Sequence, residues 1–229
     1  MVFKKGRRWY TNKKIAERYN QKRFTRGGKI LDQEEKKIIE KLTDPTGKKI
    51  LEIATGTGRF AEYLSKKKGK VTGLDASREM MLQNQKADYV QADALKLPFK
   101  DKIFDITVSI RFLHLLKNKE IMVFLKEIQR VTKEKIIFET LHPLSLRLLY
   151  QWMLPQNSHM YSNTYVKKQI KKLKSIEKIK TYPRFIIPYG IYQKIPFKMA
   201  EKISKIDKKI SSKNRWMAST IYWQIQLKK

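Results

Sequence analysis

The chain has 229 residues, 41% hydrophobic and 32% charged, a balance that suits a globular domain with its own core and excludes a disordered chain. Its 52 Lys+Arg against 21 Asp+Glu give a formal charge of +31, which draws it toward polyanions such as RNA or an anionic membrane surface. With no cysteine, it is barred from disulfides, zinc–thiolate sites, iron–sulfur radical chemistry and thiol nucleophiles, including cysteine attack on pyrimidine C5.

In chain order, Asn12 to Phe24 has helical spacing with Ile15 and Tyr19 on one face, and Gly27-Gly28 is expected to end it. Residues 31–42 predict a second amphipathic helix before the Asp44-Pro45-Thr46-Gly47 turn. From there strands and helices alternate. Lys49 to Ile53 reads as a strand, followed by a glycine-rich turn and a helix through Phe60, Ala61 and Leu64 that Gly69 caps. Val71 to Leu74 is the second strand, Ser77 the N-cap of a helix holding Met80 and Met81, and Tyr89 to Gln91 the third strand. Ile103 to Ile110 is a continuous apolar run, as a strand buried on both faces requires. Asn118 to Val131 is helical, and Lys135 to Phe138 is a fifth strand. The succession predicts a parallel sheet with helices on both faces.

The last third is more basic. Residues 1–48 carry +9, residues 49–140 carry +6 and residues 141–229 carry +16. Residues 141–160, rich in Leu and aromatics, predict an acceptor-side lid. Tyr165 to Leu173 and residues 196–210 predict basic amphipathic helices, the second with Met199, Ile203, Ile206 and Ile210 aligned. Ser219 to Leu227 alternates as a terminal strand. Met1 to Arg8 leads into no apolar segment, so no secretory signal is expected. Glu139, His142 and Arg147 interrupt Ile136–Leu154, so no transmembrane helix is expected either. A cytoplasmic chain, at most peripheral at a membrane, is the expectation.

The chemistry concentrates in Leu51-Glu52-Ile53-Ala54-Thr55-Gly56-Thr57-Gly58-Arg59-Phe60. Glycines between a strand and a helix let backbone amides approach a ligand. Ala61 stands where a dinucleotide loop wants its third small residue, so that pattern stays open. Glu52 argues against it, because a carboxylate beside a pyrophosphate is repelled whereas one beside a sulfonium or ammonium is favoured. Gly73-Leu74-Asp75 ends the second strand 19 residues beyond Gly56, where an acid can accept both hydroxyls of a ribose. Asp93, after the third strand, can accept from an adenine amino group. Three acids at three successive strand ends suit a cationic adenosine derivative, S-adenosylmethionine.

These segments resemble the class I S-adenosylmethionine-dependent methyltransferases, in the branch of the ubiquinone/menaquinone methyltransferases. LEIATGTGRF resembles their first motif, VTGLDAS the second, QADALKLPF the adenine loop, and FDITVSIRFLHLL the fourth strand with its tail, together covering residues 45–140. The resemblance implies a Rossmann-like, doubly wound α/β fold with a mostly parallel sheet of about seven strands. It implies one domain over 1–229, with an N-terminal helical cap (1–44), a cofactor-binding core (45–140) and an acceptor-side region (141–229) holding the lid, basic helices and terminal strand. Family roles place Glu52 near the methionine amino group and loop backbone at Ala54, Thr55, Gly56 and Gly58. They place Asp75 with Ala76 on the ribose and Asp93 with Ala94 on adenine; Ser109, Ile110 and Arg111 lie at the productive end of the fourth strand, where their backbone can line the sulfonium site. Ala54 stands where the family usually has its first glycine.

Tyr19 and Arg26 are candidates to close over the cofactor. Arg111 and His114 follow the fourth strand and His142 and Arg147 the fifth, where an acceptor would sit; Arg111, His114 and His142 are the catalytic candidates. Tyr150, Trp152, Tyr161 and Tyr165 can stack on a planar acceptor or pack a lid, and the Lys167–Lys180 cluster can face a polyanion. No carboxylate–histidine cluster calls for a metal. The fourth strand ends Ser109-Ile110-Arg111-Phe112, not in an Asn-Pro-Pro-Tyr motif, which disfavours amino-adenine and glutamine acceptors. The leading expectation is methyl transfer to a small or amphiphilic acceptor such as a quinone, isoprenoid or lipid precursor. A tRNA or rRNA methyltransferase is the second reading, a non-catalytic cofactor-binding scaffold the third, and a nicotinamide oxidoreductase a distant fourth.

Overall fold

The computed structural model describes residues 10–84, 86–143, 159–187, 189–213 and 217–228. Arg147, Tyr150, Trp152 and most of the expected 141–160 lid lie outside these residues.

Two helices come first, α1 (Lys13–Arg23) and α2 (Gly28–Thr43). Asn12 caps α1, its Oδ1 accepting from the Ile15 amide at 3.3 Å. Gly27-Gly28 does not end α1, which stops at Phe24; Gly28 instead opens α2. Packing explains the pair. A Cβ on Gly27 would stand 2.3 Å from the Tyr192 carbonyl oxygen and 2.6 Å from the Ala200 Cβ, and one on Gly28 2.3 Å from the Arg23 carbonyl oxygen.

The alternating core follows the expected order: β1 (Lys49–Ile53), α3 (Arg59–Lys66), β2 (Lys70–Asp75), α4 (Arg78–Met81), β3 (Asp88–Gln91), β4 (Phe104–Ser109), α5 (Asn118–Val131) and β5 (Thr132–Leu141). A short 3-10 turn, Leu113–Leu115, joins β4 to α5. Ser77 caps α4, accepting from the Met80 amide at 3.2 Å. At the end of α3 the left-handed residue is Lys68 (φ +63°), and the Gly69 amide returns to the Leu64 carbonyl at 3.0 Å. Beyond β5 come α6 (Asn163–Ile170), β6 (Ile176–Arg184), α7 (Tyr189–Lys194), α8 (Phe197–Lys213) and β7 (Thr220–Leu227).

The seven strands form one sheet in the order β3-β2-β1-β4-β5-β7-β6. β1 to β5 run parallel, while β7 pairs antiparallel with both β5 and β6. Neighbouring residues of each strand serve opposite faces, the two-residue period of a pleated chain. Leu51, Phe138 and Trp223 pack with Phe124 and Leu125 of α5 on one side. Ile50, Ile137 and Tyr222 pack with Ile39 of α2 and with Phe60 and Leu64 of α3 on the other. β7 lies inside the sheet between β5 and β6, and the Trp223 indole donates to the Thr140 hydroxyl at 2.8 Å.

Two features of the basic last third add to the sequence reading. Part of the Lys167–Lys180 cluster lies on β6, a free sheet edge where exposed Lys178 and Lys180 discourage pairing with another chain. The second is α8. Met199, Ile206 and Ile210 of its apolar stripe are exposed, and it buries Ala200, Ser204, Asp207 and Ser211 instead.

Candidate cofactor and acceptor site

The strand order reverses between β1 and β4, so their carboxyl ends diverge into a crevice, the place where open α/β sheets take ligands. The glycine loop stands at its rim. Ala54, Gly56 and Gly58 all adopt left-handed backbone (φ +58°, +57° and +69°). The Thr55 amide reaches across to the Leu74 carbonyl at 3.0 Å, tying the loop to β2. Gly58 has no room for a side chain, because a Cβ there would meet the Tyr89 hydroxyl at 2.0 Å; Gly73 is closed by the same ring at 2.7 Å. Tyr89 thus seats the loop, a role its place in β3 did not announce.

Glu52 is buried in β1 and accepts from the Thr55 hydroxyl at 2.6 Å. Burial pushes its carboxyl up to about 7, against the Thr55 bond and the Arg59 charge, so a cation beside it would draw off its proton. Asp75 closes β2. Its Oδ2 accepts from the Gly56 amide and its Oδ1 from the Ser77 amide, both at 2.8 Å. Burial raises its pKa while these amides lower it. Each oxygen keeps a lone pair for a ligand hydroxyl. Ala76 is exposed beside it and its carbonyl accepts from Gln91 at 3.2 Å. Asp93 is exposed at the end of β3 and accepts from the Leu95 amide at 3.0 Å, with Ala94 buried behind it. Ser109 is buried at the end of β4, and its hydroxyl has no hydrogen-bond partner among the described residues.

The N-terminal segment lies over this loop. Thr57 donates to Asn20 Oδ1 of α1 at 2.8 Å, and Ser77 donates to the Tyr10 carbonyl at 2.9 Å. Tyr10 and Tyr19 meet edge to face at 6.2 Å, and burial pushes the Tyr10 hydroxyl up to about 12. Tyr19 therefore sits in the cover over the loop. Arg26 is exposed, its guanidinium 3.5 Å from the Lys194 carbonyl.

Beyond the end of β4, Arg111 takes left-handed backbone (φ +61°) and pairs with Glu35 of α2. Glu35 also takes Arg59 at 2.6 Å, and Arg59 reaches Asp32 at 2.6 Å. Burial, which would raise the Glu35 pKa, is outweighed by Arg111 and Arg59, so the carboxyl stays ionised. Both Arg111 and Arg23 lie over the Tyr189 ring, at 4.5 and 4.6 Å. This network binds α2, the loop helix and β4 together. Its partners are 24 and 76 residues apart in the chain, so no local motif announces them. His114 is half-buried in the 3-10 turn, where its carbonyl accepts from the His159 amide at 2.7 Å. His142 is buried past β5, its amide donating to the Ser219 carbonyl at 3.0 Å; burial lowers the ring's pKa and keeps the imidazole neutral at pH 7. The Tyr161 ring stacks on Tyr165 at 5.5 Å and is buried in the α5–α6 layer. Among the described residues no group of three or more His, Asp or Glu is placed to hold a metal ion.

These residues fit S-adenosylmethionine: a buried carboxylate ready to ionise beside a cation, a second carboxylate at the next strand end, and a glycine loop held in left-handed backbone. A glycine loop at the switch point of such a sheet is the architecture of a Rossmann-like nucleotide-binding fold, which the methyltransferases share. A family profile described as "Methyltransferase domain" matches residues 51–138. The chain is 30% identical over 178 residues to a demethylmenaquinone methyltransferase of Chlorobaculum tepidum, covering 75% of this chain and 68% of that one. It is 34% identical over 122 residues to a demethylmenaquinone methyltransferase of Thermotoga maritima, covering 49% and 52%. Among solved structures, an S-adenosylmethionine-dependent methyltransferase from Thermotoga maritima superposes with a TM-score of 0.69 at 17% identity, over 96% of this chain and 99% of that one. Magnesium protoporphyrin IX methyltransferase of Synechocystis does so at 0.65 and 10% identity, over 99% and 100%. At these identities the likeness is one of fold. The chain belongs to the S-adenosylmethionine-dependent methyltransferases, in the branch of the ubiquinone/menaquinone methyltransferases. It spans about half the length of several curated relatives it matches, 52% and 42% for two of them.

Proposed function

We propose that this chain transfers a methyl group from S-adenosylmethionine to a small or amphiphilic acceptor, a quinone, isoprenoid or lipid precursor. The observation that carries the reading is Glu52, buried beside a glycine loop that is tied to Asp75 at the sheet's switch point. The relatives named for demethylmenaquinone and ubiquinone/menaquinone methylation support the acceptor class. We take the chain as one cytoplasmic domain, with residues 1–44 as the cap, 45–140 as the cofactor core and 141–229 facing the acceptor.

Bound S-adenosylmethionine supplies an electrophilic methyl group on a positively charged sulfur. Glu52 faces its ammonium end, Asp75 and Ala76 its ribose, and Asp93 with Ala94 its adenine. Ala54, Thr55, Gly56, Gly58 and Ser109 line the path between. Tyr10 and Tyr19 on the α1 side exclude water. Arg111 is a positioning residue: held by Glu35, it fixes the turn after β4 against which an acceptor rests. His142, neutral at pH 7, is the group that can take a proton from a hydroxyl acceptor, with His114 the alternative.

Calorimetry with S-adenosylmethionine tests the cofactor half. Asp75→Ala is expected to weaken binding by about 1–3 kcal/mol, through loss of a charged acceptor. Unchanged affinity removes Asp75 from the site. Methyl-labelled cofactor incubated with a fractionated lysate tests the acceptor half. Label in the organic phase supports the reading; label in RNA, released by nuclease, replaces the acceptor.

A further inference from the structure

Helix α8 carries its large apolar side chains on the wrong side for a core. Met199, Ile206 and Ile210 are 53%, 60% and 38% exposed, on a stripe completed by half-buried Ile203. The face turned inward holds Ala200, Ser204, Asp207 and Ser211. It is satisfied there: Asp207 accepts from the Ile186 amide at 2.8 Å and the Tyr192 hydroxyl at 2.9 Å. The outward stripe is therefore not a misplaced core face awaiting closure by its own sheet. Lys202, Lys209 and Lys213 each follow a stripe residue by three positions, so a row of exposed lysines runs along the solvent side of the stripe. The helix holds six lysines against Glu201 and the buried Asp207. On α7, Ile191 is also exposed, at 41%.

We propose that the outward face of α8 is a docking surface for an anionic lipid bilayer. The Met and Ile side chains enter the headgroup boundary, and the lysine row meets lipid phosphates. Charge decides between occupants. A second copy placed on the same face would set one lysine row against another, a like-charge contact. RNA would match the lysines but has no use for an aliphatic stripe that offers no aromatic ring to stack on. An anionic bilayer satisfies both halves of the face. The surface stands independently of the methyltransferase reading, because bilayer binding needs no cofactor.

The test is co-sedimentation of the full chain with phosphatidylcholine vesicles and with vesicles of which roughly a quarter is phosphatidylglycerol. Binding is expected to the anionic vesicles alone, falling as salt rises. The doubly substituted Met199→Ser, Ile206→Ser chain, whose charge is unchanged, is expected to bind at least about tenfold more weakly. Each of Lys202→Ala and Lys209→Ala should weaken binding by about fivefold. S-adenosylmethionine affinity, measured by calorimetry, should be the same in all variants, which separates loss of the surface from loss of the fold or the cofactor site. The proposal is overturned by no vesicle binding, by equal binding of the doubly substituted chain, or by a dimer that Ile206→Ser dissolves. RNA binding that the lysine variants lose and the Ser variants keep, without vesicle binding, also sinks it and assigns the face to nucleic acid.

Discussion

Helices α5 and α8 have comparable apolar periodicity and opposite fates. α5 lies on the sheet and buries Ile121, Phe124, Leu125, Ile128 and Val131. α8 packs on α2 and β6 through small residues and one carboxylate, leaving Met199, Ile206 and Ile210 in solvent. Periodicity of 3.6 residues shows that a helix has an apolar side; it does not say whether protein or something else covers it. The same contrast separates the two regions of the chain. Residues 49–140 are built by local strand–helix alternation at near-ordinary charge, whereas residues 141–229 carry most of the basic excess, and their described elements, β7 and α8, meet the rest through long-range contacts with β5 and α2.

The comparison can be broken by substitution. Phe124→Ala, at a fully buried site, should cost about 3–5 kcal/mol in a denaturant melt. A loss below about 1 kcal/mol would mean that α5 is not the core helix described here. Asp207→Ala should cost about 1–3 kcal/mol, because two amides and the Tyr192 hydroxyl lose their acceptor. A neutral result would show that the inward face of α8 is not fixed by this carboxylate. In the site, the raised Glu52 pKa has a definite sign. Above about 7 the carboxyl is ionised and matches a cation; below it the group is protonated and the match is lost. Affinity for S-adenosylmethionine should therefore rise about fivefold from pH 6 to pH 7, below the titration of the ligand's own amino group. Glu52→Gln should flatten that slope, and a slope that survives the substitution assigns it elsewhere. Smallest of all, Ile206→Ala should change stability by no more than about 0.5 kcal/mol. A larger loss would place Ile206 in a packed interface of the free chain.

Much of the local structure around the glycine loop was legible because its signals are local. The strand that holds Glu52, the loop glycines, Asp75 at the end of β2 and the Ser77 cap are each announced by a few neighbouring residues. β5 was longer than its apolar run suggested, since pairing with β7 extends the ladder to Leu141. The Glu35 clamp on Arg59 and Arg111 was not legible, nor was the seat that Tyr89 makes for Gly58 and Gly73, nor the cover formed by Tyr10 and Asn20. Each joins residues from separate elements, and one sequence carries no term for a contact made only after the chain folds back.

By itself the sequence determined the alternating α/β order, the carboxylates at successive strand ends and the excess of positive charge, because composition, period and local turn chemistry act within a few residues. Tertiary structure decided which side of α8 meets the protein, that Gly27 is a packing contact with α7 and α8, and that Arg111 is held by Glu35. Those outcomes depend on which surfaces approach closely enough to exclude a side chain or pair a buried charge, and that distance is a property of the folded chain.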